Sequence, residues 1–78
     1  MGMIAKQDLV HGAWYVGHCR NAEYAKWNGE KKHFVHWRWK FAVKYPETIL
    51  HPEDDQVYDV FEPYEKVDKP DFVEEIEL

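Results

Sequence analysis

Cysteine and histidine carry the widest chemical repertoire in this chain, which has one Cys and five His. A zinc site needs three or four convergent ligands. His18 and Cys19 are adjacent, so on a strand they face opposite ways. His33 and His36 stand three apart, a helical ligand spacing on what reads as a strand. His11 and His51 fall in loops. No metal and no cofactor is implied. Thiol catalysis would need a base converging on Cys19, and the plainer reading of a lone free Cys is a small buried thiol. The paired acids Glu53-Asp54-Asp55 and Glu74-Glu75 read as solvated runs rather than placed acid–base pairs. No glycine-rich phosphate loop is present. An enzyme is not expected.

A binding surface is the better reading. Tyr15, His18, Arg20 and Asn21 form one group, and His36, Arg38 and Lys40 a second, which holds the other of the chain's two arginines. Arginine offers phosphate a planar fork, and an aromatic ring offers a base a stacking surface. If the first strand pairs with the long central one, the groups become neighbours and make a cationic, aromatic-edged groove for a phosphate-bearing, nucleotide-like ligand. The plainer reading has Arg20 and Arg38 paired with acids such as Asp59 or Glu47, holding strands together.

The elements that must position these residues are strands. Asp8–Gly12 is an entry turn, with Gly12 free to take positive φ. Ala13–Cys19 alternates, Trp14, Val16 and His18 against Tyr15, Gly17 and Cys19, and Gly17 marks a bend or close backbone approach. Ala22–Trp27 fits a helical turn or a strand equally. Asn28-Gly29 is a strong hairpin signal. His33–Val43 has period 2, which predicts a strand with Val35, Trp37, Trp39, Phe41 and Val43 on the core face and Phe34, His36, Arg38 and Lys40 on the outward face. Pro46 ends that region. Glu47–His51 and Val57–Phe61 are short strand candidates, with a loop over residues 52–55 and a stop at Pro63. Phe72, Val73 and Ile76 are expected to dock rather than hang free.

The pattern predicts a mainly β fold: a small SH3-like or OB-like barrel, or a twisted antiparallel sheet of four to five strands, with room for one short helical turn. A sheet carrying one helix at Ala22–Trp27 is the alternative. Residues 1–78 make one domain, with a core over about 8–64 and an acidic tail over 65–78. Thirteen aromatic residues supply the core of so short a chain. One Cys excludes a disulfide framework and suits a reducing, cytoplasmic setting. No run reaches the length of a membrane span.

Net charge is −5, but residues 1–45 carry +5 and residues 46–78 carry −10. Direct nucleic-acid binding through net charge is not expected. The acidic half either covers the basic half or offers an acidic contact surface. So many aromatics in so small a chain also imply an exposed apolar patch, and hence a homo-oligomer.

The run GAWYVGHCRNAEYAKWNG, then FVHWRWKF, then ETILHPEDDQVYDVFEP, resembles a family of small uncharacterised phage and prophage proteins over about residues 8–64. The resemblance implies a host-defence antagonist in the host cytoplasm. One form would sequester a phosphate-bearing signal molecule. The other would act as an acidic protein-interaction antagonist, a nucleic-acid mimic, through its C-terminal half.

Overall fold

The computed structural model describes residues 2–20, 22–54 and 59–78. Five strands, β1 (Trp14–His18), β2 (Tyr24–Asn28), β3 (His33–Lys40), β4 (Val43–Ile49) and β5 (Glu62–Val67), form one sheet in the order β4-β3-β2-β1-β5. Every neighbouring pair is antiparallel. The other regular elements among the described residues are two 3-10 turns, Lys6–Asp8 and Pro52–Asp54. The fold is therefore mainly β, a twisted antiparallel sheet. No described helix is long and apolar enough to cross a membrane.

Among the described residues, one isolated parallel bridge, Leu50↔Val60, joins the residue after β4 to a residue just before β5. Phe61 N–H donates to Leu50 O at 2.9 Å. The segments that adjoin the two edge strands thus meet at this bridge. Val57 and Tyr58 of the expected Val57–Phe61 strand, and Asp55 of the loop before it, lie outside the described residues.

Local chemistry sets the turns. Gly12 has φ 81°, as its position in the entry turn requires. The Asn28-Gly29 hairpin forms with a four-residue turn over 29–32. Asn28 Oδ1 accepts from the Glu30 and Lys31 amides, both at 3.1 Å, and Lys32 takes the positive φ, 60°. Residues 22–27, undecided from sequence, are mostly strand β2. At Gly17 the β1–β5 register slips, and a Cβ would collide with the Glu62 carbonyl and lie 2.9 Å from Phe61 Cζ. Only glycine permits that close approach.

Both faces of the sheet are covered, and this corrects the expected orientation of β3. The larger core is Tyr15, Ala25, Trp27, Phe34, Ile49 and Phe61, with Ile4 and Leu9 of the N-terminal segment packed against it. Phe34 sits at its centre, its ring 4.7 Å from Trp27 and 4.8 Å from Phe61. The face expected to point outward from β3 thus holds this core, and His36 is buried with it. The opposite face carries a smaller core of Trp14, Val35 and Ile76, flanked by Tyr24, Trp37, Val67 and Val73. Trp39, expected in the core, is 65% exposed because the covering tail stops short of it.

The C-terminal tail makes that cover. Ile76 is buried, and Lys26 Nζ donates to Ile76 O at 2.7 Å and to Glu75 Oε1 at 2.6 Å. Trp37 Nε1 donates to Glu74 O at 2.8 Å, and Lys44 pairs with Glu74 at 3.5 Å. Part of the acidic half therefore neutralises lysines of the basic half. Phe72 remains 75% exposed and meets Tyr24 edge to face. Strand β5 runs from Glu62 to Val67, across the expected boundary between core and tail. Pro46 and Pro63 do not end strands but lie within β4 and β5. Both are edge strands, where a missing N–H on the outer side costs no ladder bond.

Candidate functional site

The seven expected ligand-binding residues do not form one surface. Strand β2 lies between β1 and β3, so the pairing that would have joined the two groups is absent. Tyr15 is a core residue, 1% exposed, and its hydroxyl accepts from the Val10 amide at 2.9 Å. His36 is 2% exposed, with Nε2 at 3.1 Å from Glu47 Oε2. Arg38 Nη1 donates to the same carboxylate at 3.0 and 3.3 Å. This hydrogen bond, and then the charge of Glu47, raises the guanidinium pKa above its ordinary value. Arg38 thus follows the plainer reading, bridging β3 to β4. Asn21 lies outside the described residues. His18, Arg20 and Lys40 are exposed.

Those three share one end of the sheet. In the antiparallel order, the end of β1, the β1–β2 connection and the β3–β4 turn all fall there. The β3–β4 turn projects the largest apolar group at that end. Phe41 is 90% exposed, Trp39 65% and Val43 62%. The turn itself is Phe41-Ala42, with φ of 50° and 64°. A two-residue hairpin turn with both φ positive strongly favours Asn-Gly. A phenylalanine held there, and exposed, is strained without any burial to compensate for it. Lysines flank the tip. Lys40 Nζ lies 6.0 Å from the Phe41 ring centroid, and Lys44 Nζ lies 5.9 Å from that of Trp39. Chemically, this end offers aromatic planes, ammonium groups and one exposed guanidinium, the set that meets a nucleotide's base and phosphate.

The sequence reading missed the tip because it assigned Trp39, Phe41 and Val43 to the core. No Asn, Asp or Gly marks Phe41-Ala42, so the alternation runs on through the turn, and the expected single strand His33–Val43 is in the structure β3 to Lys40 and β4 from Val43. Among the described residues, no group of three or more His, Cys, Asp or Glu is placed to hold a metal ion. Cys19 is half-buried against the larger core. No protein-family model matches the chain, and searches of curated proteins and of solved structures give no match either.

Proposed function

We propose that the chain is a non-enzymatic binding module that pairs with a second copy through its β3–β4 tips and holds a phosphate-bearing, nucleotide-like ligand between the copies. The observation that carries this reading is the exposed Trp39–Phe41–Val43 tip, at the same end of the sheet as Arg20, His18 and Lys40. One copy presents a convex tip, and small-molecule sites are concave. Two copies meeting tip to tip make the concavity and double the cations around it, as a two-fold interface does.

The energetics suit a ligand-linked assembly. Six apolar side chains contribute about 1.5–3 kcal/mol each when buried, against an association cost of about 4–15 kcal/mol. The bare pair is therefore marginal, and repulsion among its cations weakens it further. An anion shared between the copies removes that repulsion and stabilises the pair by mass action. In the setting that the phage-protein resemblance implies, such a module sequesters a nucleotide signal and so antagonises host defence.

Light scattering on purified protein with ATP and with adenosine tests this reading. ATP raises the mass to that of a dimer and adenosine does not; Phe41→Asp removes the response, and Arg20→Ala weakens it. No mass change with ATP contradicts it.

One observation favours a second reading. Glu65, Asp68, Asp71, Glu74 and Glu77 are all exposed along β5 and the tail, an acidic surface suited to a basic protein partner. That reading predicts salt-sensitive binding to a basic host protein, unaffected by Phe41→Asp.

A further inference from the structure

On the sheet face covered by the tail lies a cleft of about 190 Å³, lined by Glu23, Tyr24, His36, Trp37, Phe72 and Val73, with Ala22 beside them. Three of its lining residues are aromatic and come from three separate segments. Tyr24 begins β2, Trp37 lies in mid-β3, and Phe72 arrives with the tail. Tyr24 and Phe72 meet edge to face, with centroids 5.6 Å apart and planes at 74°. Trp37 is fixed in its plane by the Nε1–H bond to Glu74 O. Glu23 supplies the one carboxylate among the lining residues. Its backbone carbonyl accepts from Gly17 N–H at 2.9 Å, which ties this end of the β1–β2 connection to the sheet.

Three aromatic residues and one acidic residue lining a small cleft suit one ligand chemistry. Ring quadrupoles attract a cation that sheds its water easily, and methylated ammonium groups do so far more readily than a bare ammonium. Trp37 already stabilises one cation, for Lys44 Nζ lies 5.1 Å from its ring centroid with its charge met by Glu74. Phe72 is 75% exposed beside Tyr24, and that side of the cleft is open to a second. Beyond its contact with Tyr24, most of the Phe72 surface faces solvent.

We propose that this cleft is an aromatic cage for a trimethylammonium group, carried by a free small molecule or by a trimethylated lysine on a polypeptide. The cage is separate from the hairpin tip and does not depend on the anion proposed there. It exists only while the tail is docked, because Phe72 and Val73 form one of its walls.

The test is a titration of the full chain followed by amide and indole NMR signals. Choline gives saturable shifts at the Trp37 indole N–H and at Ala22–Tyr24, while its neutral tert-butyl isostere gives none. Phe72→Ala weakens choline binding by about threefold to thirtyfold. Because that variant could loosen the tail, Glu23→Gln is measured beside it. It leaves the Ile76 signals unchanged and still weakens choline by a few fold. A trimethyl-lysine peptide that binds at least tenfold tighter than choline assigns the ligand to a polypeptide, and equal affinity assigns it to a free small molecule. Absent shifts, equal shifts with the isostere, or unchanged choline affinity in both variants overturns the proposal.

Discussion

Replacing Phe41-Ala42 by Asn-Gly should make the protein more stable and less able to self-associate. Both residues have φ in the left-handed region, 50° and 64°. An L residue held there costs about 1–2 kcal/mol. Glycine at 42 removes that cost but loses about 0.5–1 kcal/mol to the greater freedom of the unfolded chain. Asparagine at 41 tolerates the conformation better than phenylalanine, though not freely. Phe41 is 90% exposed, so its removal forfeits almost no burial. The contact with Lys40 at 6.0 Å is a surface cation–π pair, worth about 0.5–1 kcal/mol at most. The net gain is about 1 kcal/mol, which raises Tm by about 4–8 °C in a domain of this size. Thermal and urea melts at low protein concentration measure it without interference from assembly. Unchanged or lowered stability would refute the argument, because it would mean that Phe41 is held in place by its own fold.

Three further outcomes follow from the packing. Ile76→Ala removes a buried side chain seated against Trp14 and Val35, and should cost about 2 kcal/mol in urea unfolding, or the whole docking energy of the tail if that is smaller; a change under about 0.5 kcal/mol would make the tail an appendage. Gly17→Ala places a Cβ against the Glu62 carbonyl and Phe61, so it should cost about 1–3 kcal/mol and disturb the β1–β5 pairing in amide exchange. The Glu75 carboxyl is held below its ordinary 4.5, first by the hydrogen bond from Lys26 and then by the Ile76 amide and Lys26's charge, against partial desolvation. A depressed carboxyl stabilises the fold above its unfolded pKa and loses that effect as pH falls through the folded value. Tail protection should therefore be full at neutral pH and decline only below about pH 4.5, and Glu75→Gln should flatten that decline.

Sequence reading succeeded where the cause is local. The alternation in Ala13–Cys19, the close approach at Gly17, the positive φ at Gly12 and the hairpin at Asn28 each follow from a few neighbouring residues. It failed where two faces compete. Period 2 identifies a strand over His33–Lys40, but the turn at Phe41-Ala42 breaks the expected strand before Val43, and with both faces of β3 covered over Phe34–Trp37, alternation alone cannot say which face meets the larger layer. The Phe34 side meets it, and Trp39 lies beyond the cover on the other side. Strand β5 went unread because Glu62, Pro63 and Glu65 carry little apolar pattern, which is tolerable only at an edge. Of the site, the sequence named the exposed groups His18, Arg20 and Lys40. It also named Glu47 as a partner for Arg38. It could not show that two consecutive hairpins would insert β2 between the two groups. Tyr15 and His36 were misassigned because strand parity identifies shared faces but not exposure.

The most direct test is sedimentation velocity of the wild-type chain over a range of concentrations, with ATP and with adenosine. The account predicts a monomer–dimer equilibrium displaced toward dimer by ATP alone, and abolished by Phe41→Asp in a protein that melts no lower than wild type. A chain that stays monomeric at every concentration with ATP present, or a Phe41→Asp variant that still dimerises, would contradict it.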